Sequence, residues 1–271
     1  MTAGGGDRRR ILAMGGGGFT MQDRSAALDR LVLTLTGKPV PRICFLPTAS
    51  GDGRDQTTRF HERFSGWPCE PSVLSLFHLG RDRIDPCAHL LAQDAIYVGG
   101  GSMRNLLAVW REHGVDQAMR SAWERGIVLA GLSAGAMCWF ESGITMSGGA
   151  PRPAAGLGLV EGSLSVHLDG EPERLQAYRE AVGRGAMPPG FAVDDCAALL
   201  VCGTEVGDYV SSRPGARVLR VEADGEGGTV ERPVSVRVLP GAVAADAPVG
   251  AGEPRGVSEL RDLRAGRHRW D

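Results

Sequence analysis

The chain has 271 residues, of which 42% are hydrophobic and 23% are charged, and its formal net charge at pH 7 is -2. This composition excludes a largely disordered chain and suffices for one large domain with a full core. The small negative charge gives no electrostatic basis for binding nucleic acid or an anionic membrane surface, so we expect a small-molecule partner.

Short apolar runs alternate with longer amphipathic stretches, a pattern typical of parallel strands joined by crossover helices. The first strand is predicted at Arg10–Met14, and it ends in a glycine turn at Gly15–Gly18. Helical spacing of apolar residues predicts a helix over Gln22–Leu35. Three more strands are predicted at Arg42–Pro47, Pro71–Phe77 and Asp94–Val98.

The middle of the chain continues the same alternation. After Gly99-Gly100-Gly101-Ser102, an apolar face predicts a helix that begins at Met103, and a second helix over Val115–Arg125 ends at Gly126 as a C-cap. Ile127–Leu132 is a predicted strand that runs directly into Ser133, and the next residues, AMCWF, predict a helix. The later predictions are a loop (Ser147–Gly158), a strand (Ser163–Leu168), a helix (Pro172–Ala186) and strands within Phe191–Val210.

The C-terminal part has a different sequence pattern. From Ala216 onward, short β-like runs between glycine-rich turns predict a hairpin over residues 216–239. The Ala/Gly/Pro-rich segment 240–271 predicts a loosely ordered tail. The predicted fold class is therefore α/β, with one doubly wound, mostly parallel sheet, helices on both faces and a sharp elbow after a central strand. We expect a single domain over residues 1–239.

The cysteines and histidines show no metal-binding or redox spacing. The six cysteines contain no C-x-x-C pair, and the six histidines contain no H-E-x-x-H pair. We therefore expect reduced thiols, no metal and no cofactor. The apolar run after the arginines at positions 8–10 is too short for a secretory signal, and no stretch approaches a membrane-spanning length. We expect a cytoplasmic protein with no membrane partner.

One motif points to nucleophilic chemistry. Gly131-Leu132-Ser133-Ala134-Gly135 matches G-x-S-x-G, and it lies between a predicted strand and a predicted helix. A sharp turn at this place strains the serine backbone and exposes its hydroxyl at a helix N-terminus. With 40 glycines in the chain, the pattern also arises as an ordinary turn. The strand-turn-helix context favours the nucleophile.

A nucleophilic serine needs a base and a group that orients the base. His167 is the best placed histidine, because a strand that follows the elbow brings its end to the same edge of the sheet. The alternative for His167 is a core histidine. Asp194 and Asp195 enter an apolar strand, where an unpaired charge is costly. Asp195 is the preferred acid, and the alternative is that one or both aspartates cap a turn.

Acyl transfer also needs donors for the oxyanion. The candidates are the backbone N–H groups of Ala134, Gly100 and Gly101, since glycine lets bare backbone approach a substrate carbonyl. A glycine triplet can also bind phosphate. The sequence matches neither GxxxxGK[ST] nor GxGxxG, so nucleotide binding is the weaker interpretation.

Four strings occur in order: YVGGGSMRNLLAVW, LAGLSAGAMCWFESG, LSVHLDGE and FAVDDCAAL. Together they resemble the peptidase E family of serine exopeptidases, which includes cyanophycinases, and the resemblance extends from about Arg10 to Ser212. It implies a doubly wound fold similar to class I glutamine amidotransferases, with serine in place of cysteine. It also implies cleavage of N-terminal aspartyl dipeptides, or of β-linked aspartyl polymers in the cyanophycinase branch.

Position by position, the resemblance places Ser133 at the nucleophile, His167 at the base and Asp195 at the acid. Gly101 and Ala134 fall at the oxyanion donors.

Two positions depart from the family pattern. Many relatives have an aspartate in the loop after the elbow helix, where this chain has Thr145-Met146-Ser147. Relatives usually have Asn-Thr after the glycine triplet, where this chain has Ser102-Met103. Ser102 and Arg104 are candidate substrate-binding residues, because an arginine can receive a carboxylate in a bidentate manner. The alternative for Arg104 is an ordinary exposed position on a helix.

The preferred function is a serine exopeptidase or dipeptidase that acts on a small peptide. The first alternative is a non-catalytic protein that binds a small ligand on the same scaffold. The second is another hydrolase with the same three residues, either an esterase or a cyanophycinase-like enzyme. The sequence leaves the oligomeric state open, a homodimer included.

Overall fold

The computed structural model describes residues 7–21 and 25–242. Its strands are β1 (Arg10–Met14), β2 (Arg42–Leu46), β3 (Glu70–Val73), β4 (Ala95–Val98), β5 (Val128–Leu132), β6 (Phe140–Thr145), β7 (Arg152–Ala155), β8 (Val160–Val166), β9 (Gly190–Val193), β10 (Ala197–Cys202), β11 (Glu205–Ser211), β12 (Val218–Ala223), β13 (Thr229–Pro233) and β14 (Arg237–Val238). Its α-helices are α1 (Ala27–Leu35), α2 (Arg54–Phe64), α3 (Leu79–Asp82), α4 (Pro86–Leu91), α5 (Met103–Glu112), α6 (Val115–Glu124), α7 (Ala134–Met137) and α8 (Pro172–Gly183).

The larger sheet has the strand order β14-β11-β10-β1-β5-β4-β2-β3. Strands β1, β5, β4, β2 and β3 are parallel to one another, while β10 is antiparallel to β1 and β11 is antiparallel to β10. The carboxyl ends of β1, β5 and β4 therefore lie side by side at one edge, which is where α/β proteins place their sites.

A second sheet, with the order β13-β12-β9-β8-β6-β7, accompanies the first in the described part of the chain. In it β6, β8 and β9 are parallel. The predicted C-terminal hairpin is present as β12 and β13, but it joins this second sheet, where β12 pairs with β9. The prediction of one sheet was therefore wrong in number, although the mostly parallel α/β class is confirmed.

Helices cover both faces of the larger sheet, as predicted. Alternate residues of β1 point in opposite directions, as the period of a strand requires. Ile11 and Ala13 pack in the cluster that contains α5, α6, α7 and one face of the second sheet. Leu12 and Met14 pack with α1 and α2. Helix α8 covers the outer face of the second sheet, so the sheets and helices form successive layers.

Two predicted elements are shorter in the structure. The first helix begins at Ala27, where Ser25 Oγ accepts a hydrogen bond from the Ala27 amide, and residues 22–24 lie outside the described part. The third strand ends at Val73, because Ser75 Oγ and the Phe77 amide turn aside to donate to the Asp52 carboxylate. A local hydrogen bond thus accompanies the start of α1, whereas hydrogen bonds to the distant Asp52 accompany the end of β3.

The segment after the elbow was predicted wrongly. Helix α7 is a single turn, and the chain then enters β6, with a further strand, β7, inside the predicted loop. The carbonyl oxygens of Cys138 and Trp139 accept hydrogen bonds from Leu157 and Leu159 instead of from the next helical turn. Pairing with distant residues thus overrides the local helical preference of AMCWF. Helix α2 was not predicted, because only Phe60 and Phe64 of that helix are buried.

The remaining boundaries agree closely with the sequence. Helix α6 ends at Glu124, and Gly126 follows with a φ of 81°, the left-handed conformation of a glycine C-cap. At the C-terminal side, Leu239 is buried against the larger sheet. The single domain over residues 1–239 stays a prediction, and the predicted tail lies outside the described residues from position 243 onward.

Candidate active site

Ser133 stands on a strained turn between β5 and α7. Its φ is 53° and its ψ is -114°, which is costly for any residue with a side chain. The Ser133 amide donates to Met14 O at 3.0 Å, and Ser133 O accepts from the amides of Ala136 and Met137. The end of β1 and the first turn of α7 therefore hold the strained conformation in place.

The glycines of the motif allow this turn to pack closely. A Cβ at Gly131 would collide with the carbonyl oxygen of Gly135, and a Cβ at Gly135 would collide with that of Val98. Because both obstacles are main-chain atoms, no side-chain rotation relieves the collision. Two of the motif positions are thus glycine for steric reasons.

Three predicted side chains meet at this turn. His167 Nε2 lies 2.9 Å from Ser133 Oγ, and His167 Nδ1 lies 2.6 Å from Asp195 Oδ1. With the proton on Nδ1 donated to the carboxylate, Nε2 accepts the serine hydroxyl proton. We call this chain of hydrogen bonds from Asp195 through His167 to Ser133 the relay. The side chains of His167 and Asp195 are 23% and 21% exposed, so the relay is partly shielded from solvent and still open to a ligand.

The imidazole comes from the second sheet, which sequence reasoning did not anticipate. His167 follows β8 and has a φ of 56°, so the chain turns sharply as the strand ends. Asp195 lies between β9 of the second sheet and β10 of the larger one. The site is therefore assembled where the chain passes between the two sheets, and not from one sheet edge alone.

Asp194 and Asp195 have different surroundings. Asp194 is 2% exposed, and its carboxylate accepts hydrogen bonds from the amide, Nε and Nη2 of Arg217. This pairing raises the pKa of Arg217. Asp195 instead turns its carboxylate toward His167. Of these two aspartates, Asp195 is the one placed to orient the imidazole.

Sequence reasoning missed the part that Gly16 plays. A Cβ at Gly16 would collide with Asp195 Oδ1 and would come within 3.1 Å of His167 Cε1. The carbonyl oxygen of Gly16 also accepts from the Cys196 amide. The available signal was the glycine run at the end of β1, which neighbours β5. Bare backbone at that place lets the acid loop, the segment between β9 and β10 that carries Asp195, approach closely.

Two of the three candidate oxyanion donors lie directly against Ser133. Ala134 is the first residue of α7, so its amide is one of the N–H groups without a partner inside the helix. A Cβ at Gly100 would lie 3.3 Å from Ser133 Cβ, which places this backbone directly against the serine. Gly101 has a φ of 141° and contacts the main chain of Ala49. Ala134 and Gly100 therefore adjoin the serine directly, and Gly101 follows Gly100 in the chain.

The two predicted substrate-binding residues lie at the start of α5. Ser102 Oγ caps the helix by accepting from the Asn105 amide at 3.1 Å. Arg104 is exposed on the first turn and makes no hydrogen bond or ion pair with another described residue. Where relatives have an aspartate after the elbow helix, Thr145 Oγ1 and Ser147 Oγ form a hydrogen bond of 2.6 Å.

Other chemistries find no support in the described residues. Within residues 7–21 and 25–242, no three His, Cys, Asp or Glu side chains are grouped to hold a metal ion. The six cysteines, which all lie in the described part, are free thiols. No helix of the described chain has the length and apolar character needed to cross a membrane.

A serine on a strained strand-to-helix turn, with an imidazole and a carboxylate in line behind it, defines a serine hydrolase of the α/β class. The chain matches the profile of Peptidase family S51 over residues 11–208. It is 45% identical over 213 residues to the uncharacterized peptidase YgaJ of Bacillus subtilis (strain 168), covering 79% of this chain and 92% of that protein.

Two solved structures share the fold at lower identity. The first is a peptidase from an acI-B1 Actinobacterium, with a TM-score of 0.66 and 18% identity, over 84% of this chain and 94% of the other. The second is a putative peptidase E protein from Listeria monocytogenes EGD-e, with a TM-score of 0.52 and 15% identity, over 84% and 99%. The chain belongs to peptidase family S51, the peptidase E family, and is a serine-type peptidase.

Proposed function

We propose that this peptidase is an exopeptidase that cleaves small peptides after an aspartyl-type N-terminal residue, through an acyl-enzyme formed on Ser133. The observation that carries the proposal is the continuous relay from Asp195 through His167 to Ser133, with distances of 2.6 and 2.9 Å. Both distances are within normal hydrogen-bonding range, so proton transfer needs no rearrangement.

In the proposed mechanism, Ser133 Oγ attacks the peptide carbonyl carbon while its proton passes to His167 Nε2. The carboxylate of Asp195 stabilises the resulting imidazolium. The amides of Ala134, Gly100 and Gly101 receive the negative oxygen of the tetrahedral intermediate. The C–N bond then breaks as His167 gives its proton to the leaving amine, and water resolves the acyl-enzyme by the same steps in reverse order.

The substrate class rests on the family resemblance and on one unpaired cation. Arg104 is exposed one helical turn from the glycine triplet and has no described anionic partner. A guanidinium in that place suits the carboxylate of an aspartyl side chain. Ser102, at the N-cap of the same helix, supplies a hydroxyl beside it. These two residues are the proposed binding groups.

The test is a dipeptide library screen of wild type and Ser133→Ala in parallel, with Ser65→Ala as a control. Ser65 is an exposed serine at the end of α2. We expect wild type and Ser65→Ala to hydrolyse aspartyl dipeptides and Ser133→Ala to show no turnover while its circular dichroism is unchanged. Full activity of Ser133→Ala would exclude the mechanism. Hydrolysis of an oligomeric β-aspartyl substrate alone would replace the dipeptidase assignment with a cyanophycinase-like one.

A further inference from the structure

Asp195, the acid of the relay, lies in a segment of chain that no strand pairing among the described residues holds in place. Asp195 lies outside any strand, where the chain leaves the second sheet and enters the larger one. The next residue, Cys196, has a φ of 65°, which a residue with a side chain rarely adopts. The carboxylate of Asp195 is engaged by His167, so it does not fix its own main chain.

Two charged residues hold the main chain of Asp195. Asp169 Oδ1 accepts a hydrogen bond from the Asp195 amide at 2.9 Å. Arg213 Nη2 donates to Asp169 Oδ2 at 2.7 Å and also to the Asp195 carbonyl oxygen at 3.4 Å. One carboxylate–guanidinium pair thus binds both the N–H and the C=O of the residue that carries the acid.

The same pair connects the acid to the imidazole. Asp169 is two residues beyond His167, on a turn in which the His167 carbonyl accepts from the amides of Gly170 and Glu171. Arg213 follows β11, which lies between β14 and β10 in the larger sheet. The pair therefore ties together three chain segments: the turn after β8, the crossing between β9 and β10, and the end of β11.

Electrostatics keep both members of the pair charged. Burial works to raise the pKa of Asp169, but the hydrogen bonds from the Asp195 amide and from Arg213 outweigh it and lower the pKa below 3.8. Burial works to lower the pKa of Arg213, but the bond to Asp169 outweighs it and raises the pKa above its usual value. The contact is therefore a full ion pair at neutral pH.

We propose that Asp169 and Arg213 are positioning residues for the catalytic acid, which set the distance from Asp195 to His167 without contacting the substrate. This inference rests on the proposed function, because it assigns a task within the same relay. Releasing the Asp195 main chain lets its carboxylate drift from the imidazole, and a displacement of about 1 Å in a catalytic group costs about 100-fold in rate.

The experiment measures the rate at which a fluorophosphonate probe labels Ser133, because that reaction needs the relay and no peptide-binding groups. The variants are Asp169→Ala, Asp169→Asn, Arg213→Met and Arg213→Lys. The control, Arg179→Met, removes a surface ion pair between Arg179 of α8 and Glu231 of β13. Melting temperatures are recorded for all of them, together with kcat and KM on any peptide that the wild type cleaves.

We expect Asp169→Ala and Arg213→Met to be labelled about 10- to 100-fold more slowly, with kcat falling and KM nearly unchanged. Asp169→Asn and Arg213→Lys should recover part of the rate, because the Asn carbonyl still accepts from the Asp195 amide and the lysine still carries charge. Arg179→Met should be labelled at the wild-type rate. A purely structural role would lower the melting temperature without this graded recovery.

If all four variants at Asp169 and Arg213 are labelled at the wild-type rate, the inference is overturned and the proposed function stands. If the alanine and methionine variants do not fold, the two conservative variants decide, and a wild-type rate in both overturns it. A wild type that the probe does not label would overturn the proposed function itself, and this inference with it.

Discussion

Asp194 and Asp195 are adjacent in the chain, yet the structure gives them different partners. Asp194 is almost fully buried against Arg217, whereas Asp195 is partly exposed and binds the imidazole of His167. The sequence identified the pair because two charges inside an apolar stretch need partners. The choice between the two depends on how the fold brings His167, which precedes them, and Arg217, which follows them, to opposite carboxylates.

Exchange of each aspartate for asparagine separates the two positions. Asp195→Asn should lower kcat by about 10³–10⁴-fold at nearly constant stability, because an amide no longer stabilises the imidazolium. Asp194→Asn should leave kcat nearly unchanged and lower the free energy of unfolding by about 1–3 kcal/mol, because a buried charge-assisted bond to Arg217 is weakened. Steady-state kinetics and urea unfolding of both variants check this. Equal kcat values for the two would contradict the assignment.

Gly16 gives a second prediction at this scale. Gly16→Ala should lower kcat by about 100-fold, because the added methyl group collides with Asp195 Oδ1 and displaces the acid from the imidazole. Gly66→Ala is the matched control, since a Cβ at Gly66 meets open space. The measurement is kcat for both variants on the same peptide. Unchanged turnover in Gly16→Ala would show that the acid loop moves freely.

Among the elements, α7 shows how a local motif is completed by distant backbone. This single turn packs on the ends of β4 and β5, and the carbonyl of Val98 leaves no room for a side chain at Gly135. The sequence predicted the strand and the turn correctly from G-x-S-x-G. It overestimated the helix, because Trp139 lies buried in the turn after α7 and Phe140 begins β6 of the second sheet.

Gly135→Ala tests this close packing. The substitution should lower the free energy of unfolding by about 1–3 kcal/mol, since the new methyl group overlaps main-chain atoms that cannot rotate away. Gly80→Ala, in the short helix α3 with open space around it, should not destabilise, because alanine favours helix more than glycine does. Urea denaturation of both variants decides. Equal stabilities would mean that α7 shifts to accept the methyl group.

For the whole molecule, ion pairs between segments make stability depend on pH. Burial works to raise the pKa of Asp94, but hydrogen bonds from Lys38 and Arg42 outweigh it and lower the pKa below 3.8. A carboxylate with a depressed folded-state pKa binds fewer protons in the folded protein than in the unfolded chain. Its stabilisation is complete above about pH 4 and is lost as the pH falls through the folded-state pKa.

We therefore expect Asp94→Asn to be less stable than wild type at pH 7 by at most about 1 kcal/mol. The difference should shrink toward zero between about pH 4 and pH 2. Glu161→Gln is the control, because Glu161 is exposed and has no ion pair with another described residue. The measurement is the midpoint of urea unfolding at a series of pH values. A difference for Asp94→Asn that persists at the acid end would contradict the linkage.

The sequence by itself determined the local features of this peptidase. Buried strands, the amphipathic helices α5 and α6, and the elbow at Ser133 follow from periodicity and from glycine positions, which act over a few residues. The same strings also placed His167 and Asp195 among the candidates before any contact was known.

Only the tertiary structure decided that the chain forms two sheets, that His167 follows a strand of the second one, and that Arg213 and Asp169 bind the main chain of Asp195. These outcomes depend on which strands pair and which loops converge; Arg213 and Asp169, for example, are 44 positions apart in the chain. Strand pairing joins residues far apart in sequence through main-chain groups that every residue possesses, so side-chain patterns carry little information about it.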